Sequence, residues 1–238
     1  MPHSKNPQLK HAGNLGDILK HAALFQLAIL MKARNVGKPV SYVETHAFQL
    51  GTDLTNSKEW EDECRMESSV YPAYSAYQGA ESSSVSRQQY RCSCGLVIDT
   101  LRDRRLFLAE KDPQTRAILQ RQLAAENVPC DLLLSDAAGF AFLAAIKSPG
   151  PLLALVDPFT LPHAVWSAVG KAVEAIRAPS ADGIIEVFSY SEDKPVDWPV
   201  ATMVRPPYYL AVYATDAIVS EARRELVGLG WEAKPNTN

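Results

Sequence analysis

The chain has 238 residues, 47% of them apolar and 21% charged. That is enough for a sizeable packed core and excludes a disordered polar chain. The net charge of −3 excludes a uniformly basic nucleic-acid coat but not a local basic patch.

Such a patch opens the chain. Residues 1–43 carry six basic side chains (Lys5, Lys10, Lys20, Lys32, Arg34 and Lys38) against one acid, Asp17, a net +5. A basic arm on an acidic body suits docking to a polyanion, and a solvated helix face with lysine stems is the plainer alternative. Met1 to Gln8 is polar, with no secretory core, and the longest near-apolar run, Ala22 to Met31, is too short to span a bilayer. A cytoplasmic protein without a membrane partner is expected. The four cysteines (Cys64, Cys92, Cys94 and Cys130) are too few for a disulfide framework, and a lone Cys-x-Cys is a weak metal signal. Reduced thiols and no metal site are expected.

Asp17 to Arg34 reads as a helix whose apolar residues are too many for a thin stripe, so more than one side is covered. Asn14 or Asp17 can cap its start, and Gly37-Lys38-Pro39 ends it. Val40 to Glu44 then reads as a buried strand. Further short apolar runs lie at 105–110, 131–134, 152–157, 183–189 and 208–213, with helical patterns over 113–127, 139–147 and 161–177 between them. Strand and helix alternating at this spacing predict an α/β fold, a parallel sheet with helices on both faces. About 60 residues separate Glu44 from Arg105, far more than a crossover needs. One domain over 1–238 with an inserted subdomain at about 50–94 is expected. That stretch holds Trp60, Tyr71, Tyr74, Tyr77 and Tyr90. The rings either form the insertion's own core, the favoured reading, or stack on unpaired bases.

Ligands of open α/β sheets bind at the carboxyl ends of the strands. Those ends are polar here: Glu44-Thr45-His46, Glu110, Ser135-Asp136, and Asp157-Pro158. A carboxylate after the second strand can accept both ribose hydroxyls, and a side chain after the third can meet an adenine amine. The loop after the first strand, His46 to Gly51, has one glycine and lacks the dinucleotide fingerprint, and there is no Walker A motif. NAD and NTP hydrolysis are thereby disfavoured. S-adenosylmethionine carries no phosphate and stands as the expected cofactor. Asp157, the carbonyl of Pro158 and the ring of Phe159 can hold and clamp an exocyclic base amine for methyl transfer. A strand end turning through Asp-Pro is the bland alternative.

The run from His11 to His21, HAGNLGDILKH, resembles the opening of the RlmJ family, whose members methylate an adenine amine of 23S ribosomal RNA using S-adenosylmethionine. Tyr42 to Ala47 is similar to the family's Y-L-D-T-H-A, and Leu155 to Pro158 to its L-I-D-P-P-Y. Ser93, Glu110 to Pro113, and Asp136 to Phe140 fall in register more loosely. The resemblance touches most of residues 9–160. It implies a Rossmann-like class I methyltransferase fold, with Lys20, His21, His46, Ser93, Glu110 and Asp136 binding the cofactor. It implies that Asp157, Pro158 and Phe159 are catalytic, and that the N-terminal arm, with Lys5, Lys10 and Asn14, meets RNA in rRNA processing. Read without the family, His21 is a core residue and His46 a cap. Two positions depart from the pattern: the loop after T-H-A reads Phe48-Gln49-Leu50, and D-P-P-Y becomes D-P-F-T. A degenerate RNA-binding homologue, and a methyltransferase for DNA or a small molecule, are therefore the alternatives. Oligomeric state is left open.

Overall fold

The structure is a computed structural model. It describes residues 15–53, 89–134, 145, 147, 150–157, 163–176, 182–189, 200–205 and 208–233.

Helix α1 (Leu15–Arg34) leads into β1 (Val40–Glu44). A short antiparallel pair follows, β2 (Gly51–Asp53) with β3 (Gln89–Arg91), then α2 (Ser93–Thr100) and β4 (Arg104–Ala109). Next come α3 (Pro113–Ala125), β5 (Leu132–Leu134), β6 (Leu152–Val156), α4 (His163–Ile176) and β7 (Gly183–Ser189). The chain closes with β8 (Val200–Arg205), β9 (Tyr208–Ala214), α5 (Asp216–Gly228) and β10 (Glu232–Ala233). Eight strands form one sheet in the order β10-β8-β9-β7-β6-β1-β4-β5.

The expected α/β fold is present. Strands β5, β4, β1, β6 and β7 pair in parallel. The order runs outward from β1 in one direction through β4 and β5, and in the other through β6 and β7. This is the Rossmann-like arrangement, with its switch point between β1 and β6. The far end differs from a purely parallel sheet. Strand β9 runs antiparallel between β7 and β8, and β10 adds antiparallel to β8. The reversal follows from the connection: only two residues separate β8 from β9, which permits a hairpin and forbids a crossover. One antiparallel strand, β9, thus stands between β7 and β8, which both run in the direction of the parallel set.

Side chains alternate between two cores along each strand. Val40 and Tyr42 of β1, Leu153 and Leu155 of β6, and Ile184 and Phe188 of β7 join α1, α2, α3 and α5 on one face. Val43, Ala154, Val156, Ile185 and Val187 meet α4 on the other. Strands β1 and β6 are buried throughout, as double coverage requires. Helix α1 packs against α2, α5, β6 and β7, which explains its wide apolar surface. No helix among the described residues is long and apolar enough to cross a membrane.

Most expected elements are found within a residue or two. Helices α2 and α5 and strands β2, β3, β8 and β10 were not expected. The 139–147 helix lies largely outside the described residues, as does the insertion between β2 and β3. Cys92 and Cys94 are buried free thiols and Cys130 is half-buried; Cys64 lies outside the described residues.

Candidate functional site

The switch point places the ends of β1 and β6 side by side. Glu44 is level with Leu155 in the parallel register, and the Thr45 N–H donates to the Leu155 carbonyl at 3.1 Å. The chain leaving β1 is therefore tied to β6 as it turns. The next turn is tied to β4, because the Ala47 N–H donates to the Ala109 carbonyl at 2.8 Å. Further on, Gln122 of α3 grips the loop twice. Its Oε1 accepts from the Leu50 N–H and its Nε2 donates to the Gly51 carbonyl, both at 2.8 Å. From the other side the Cys94 thiol donates to the Gln49 carbonyl and the Cys92 N–H to the Leu50 carbonyl. Gly95 makes this approach possible: a Cβ there would stand 2.1 Å from the Leu50 oxygen.

Helix α1 supplies the first ion pair of the candidate site. Lys20 is 7% exposed, and its Nζ donates to Asp17 Oδ1 at 2.9 Å and to Asp157 Oδ2. Asp17 and Lys20 are three residues apart and share a helix face. Asp157 comes from the far side of the sheet's switch point, 137 residues along the chain. Burial alone would lower the lysine pKa, but the two carboxylates outweigh it and hold the ammonium well above its ordinary range. The same ammonium lies 5.8 Å from the Phe188 ring centroid of β7. The Asp157 side chain keeps 23% of its surface open, so one acceptor at the end of β6 faces the rim.

A second polar group sits one strand over. Glu44 is 2% exposed. It accepts from the Tyr42 hydroxyl at 2.9 Å and from the Ser93 hydroxyl at the start of α2. Burial raises its pKa from 4.5 to about 7. His46 follows, its Nδ1 within 2.7 Å of the Thr45 hydroxyl. Burial lowers the His46 pKa despite Asp157 nearby. His21 is buried at the Lys20 end of α1, where burial and then the Lys20 charge push its pKa to about 3, so its ring is neutral near pH 7.

At the end of β4, Glu110 is held by its backbone. Its N–H donates to the Leu134 carbonyl at 3.1 Å, and its own carbonyl accepts from Arg116 Nη1 at 2.9 Å. Its Oε1 accepts from the Asp112 N–H at 2.7 Å. Asp112 in turn caps α3 through the Thr115 N–H. The Glu-Lys-Asp-Pro sequence thus builds a helix start that fixes the carboxyl. Burial raises the Glu110 pKa to about 7.

Of the expected site residues, Lys20 and Asp157 are directly bonded, and Ser93 bonds Glu44, which lies within the electrostatic reach of that pair. His21 and His46 lie within the electrostatic reach of Lys20, and Glu110 stands at the end of β4. Lys5, Lys10, Asn14, Asp136, Pro158 and Phe159 lie outside the described residues. Phe48 is half-buried and packs against the main core. No group of three metal-ligating side chains exists among the described residues. Sequence reasoning did not assign Asp17 as a partner of Lys20, although their i, i+3 spacing signals it. It also passed over Glu186, a single acid within the apolar strand Gly183–Ser189, which the structure buries completely.

No protein-family model matches the chain, and no curated protein matches it in sequence. A crystal structure of protein LPL1258 from Legionella pneumophila str. Philadelphia 1, of the DUF519 family, superposes with a TM-score of 0.69 at 20% identity, covering 92% of each chain. An rRNA methylase from Streptococcus thermophilus gives a TM-score of 0.41 at 12% identity over 78% of this chain and 92% of its own. The rRNA methyltransferase aviRa from Streptomyces viridochromogenes gives 0.36 at 15% identity, covering 87% of each. The Legionella structure shares this fold; likeness at the level of the other two says nothing about this chain's chemistry.

Proposed function

We propose that the chain is an S-adenosylmethionine-dependent methyltransferase of the RlmJ type, acting on an exocyclic adenine amine of ribosomal RNA. One observation carries the reading. The two segments that resemble the family, His11 to His21 and Leu155 to Pro158, meet in the structure through the Lys20–Asp157 ion pair at the sheet's switch point. Nothing in composition or helix packing demands that a lysine of the opening motif find the aspartate of the strand-end motif. The fold shared with a DUF519 protein, the family of RlmJ, is in keeping with it.

The rim fits this cofactor by its donor set. Its described side chains near the strand ends are Glu110, Asp157 and neutral imidazoles, which suit hydroxyl and amine donors. The loop after β1 holds a single glycine and lacks a phosphate-binding fingerprint, so a phosphate-free nucleoside is the better occupant. When bound, the cofactor supplies an electrophilic methyl on sulfur. Glu110 receives the ribose hydroxyls, its carboxyl set by the Asp112 N–H. Asp157 accepts from the target amine and orients its lone pair, with the Pro158 carbonyl as second acceptor and Phe159 as the clamp. Asp157 would stabilise the positive charge that the amine gains with the methyl group, and the amine proton would leave by way of the open rim. Lys5, Lys10 and Asn14 dock RNA phosphates, in the cytoplasm, with no metal or membrane required.

Labelled S-adenosylmethionine incubated with 23S rRNA transcript should transfer label with the wild type and not with Asp157→Ala. Transfer unaffected by Asp157→Ala would remove the reading, as would no transfer to any RNA or DNA. Salt-dependent RNA binding without transfer would mark a degenerate binding homologue instead.

A further inference from the structure

Glu186 is the one strongly polar side chain of β7 that faces the α1 side of the sheet, and it is 0% exposed. Neither carboxyl oxygen has a hydrogen-bond partner among the described residues. A buried carboxyl without a partner is costly and calls for an explanation. Its place in the sheet supplies one. Glu44, Leu155 and Glu186 stand in register across β1, β6 and β7, so the two acids flank Leu155 on one face. Helix α1 crosses that face against β6 and β7. The Lys20 ammonium lies over Phe188, two residues along from Glu186 on the same side of β7.

The geometry points to Glu186 as a positioning residue, the alternate acceptor onto which Lys20 moves when Asp157 is given over to a ligand. The assignment rests on the proposed role of Asp157 as acceptor for the target amine. With Asp157 occupied by the ammonium, its acceptor capacity toward a ligand is shared. A long flexible lysine with two seats frees Asp157 without leaving a buried cation stranded. The swing is coupled to the loss of one proton. While Lys20 rests on Asp157, burial raises the Glu186 pKa and outweighs Lys20, with Asp157 and Glu44 adding to the rise, so the protonated carboxyl is favoured. When the ammonium arrives, the carboxyl releases its proton to solvent and becomes the lysine's counter-ion. Glu44 remains bonded to Ser93 and Tyr42 and so is not a second seat.

The test needs no ligand. Asp157→Asn removes the charge that holds Lys20 and mimics Asp157 given away. Thermal unfolding of the cycle formed by wild type, Asp157→Asn, Glu186→Gln and the double variant should show a change of sign. Glu186→Gln should leave Tm unchanged or raised in the wild type, where the acid is unpartnered. In the Asp157→Asn background it should lower Tm, because the lysine then sits on Glu186. The same cycle in Lys20→Met protein should show no coupling. Infrared spectra give a second reading. The stretch of a protonated buried carboxyl, identified by its loss in Glu186→Gln, should be present in wild type and lost in Asp157→Asn. An equal effect of Glu186→Gln in both backgrounds, with the protonated stretch retained in Asp157→Asn, would overturn the inference. Because neither readout involves methyl transfer, that failure is separate from failure of the proposed function.

Discussion

Glu44 offers a quantitative check on the electrostatics under the rim. Its carboxyl is 2% exposed, and burial lifts its pKa from 4.5 to about 7. Replacing it with glutamine keeps the shape and an acceptor for Tyr42 or Ser93 but removes the charge. In the folded protein the neutral form is favoured, so ionisation opposes folding. Below pH 4.5 the group is protonated in both states and its titration is silent. As pH rises to about 7 the unfolded chain ionises first, and stability falls. At about 1.4 kcal/mol per tenfold change in proton affinity, the shift amounts to about 3 kcal/mol at pH 8. Glu110 and Glu186 titrate abnormally in the same direction, so the useful quantity is the difference between wild type and Glu44→Gln rather than either curve alone. Urea unfolding from pH 4 to pH 8 measures it. The stability of Glu44→Gln relative to wild type should climb by about 3 kcal/mol across that window and level off above it. A difference that stays constant with pH would show that Glu44 titrates alike in the folded and unfolded chain, and the account of its burial would be wrong.

Other expectations follow from single contacts. Lys20→Met leaves Asp17 and Asp157 facing each other without their cation and should cost about 3 kcal/mol in urea unfolding, the lower end for a broken buried pair because Asp157 is partly open. The lysine's own contribution, present below its ordinary 10.5, should fade only at more alkaline pH, since its folded pKa is raised. Gly95→Ala drives a methyl into the Leu50 carbonyl and should cost about 2–4 kcal/mol through overpacking and the lost Cys92–Leu50 bond. Gly228→Ala, at the end of α5 with nothing within 4 Å, should be neutral or gain up to about 1 kcal/mol. Gln122→Leu removes both bonds to the loop after β1 and should lower stability by about 2 kcal/mol in the same assay.

The parts of this fold that could be read from sequence are those where one physical cause acts alone. The strand Val40–Glu44 is continuous with β-branched and aromatic residues and ends on an acid, and it is found with those bounds. The wide apolar surface of α1 announced a helix covered on more than one side. The antiparallel end of the sheet was not legible, because β8 (VATMVR) is short and mixes polar with apolar residues, and only its hairpin to β9 defines its direction. Helix α2 was hidden by its composition: it is buried almost all round, so it shows no polar face for a period to mark. At the site, Glu110 and Asp157 were visible as acids ending apolar runs. Ser93 was visible only through the family resemblance, since its role depends on α2 meeting Glu44. Glu186 was not visible as functional, because an acid within an apolar strand reads as a solvated edge until the register shows it enclosed.

The proposed function requires a phosphate-free nucleoside sulfonium to bind across the ends of β1, β4 and β6 with Glu110 on its ribose. Isothermal titration of S-adenosylmethionine and S-adenosylhomocysteine into wild type and Glu110→Gln tests it most directly. The account expects binding to the wild type and a loss of about 2 kcal/mol, roughly thirtyfold, in the variant. No heat of binding at millimolar ligand, or equal affinity in the two proteins, would contradict it.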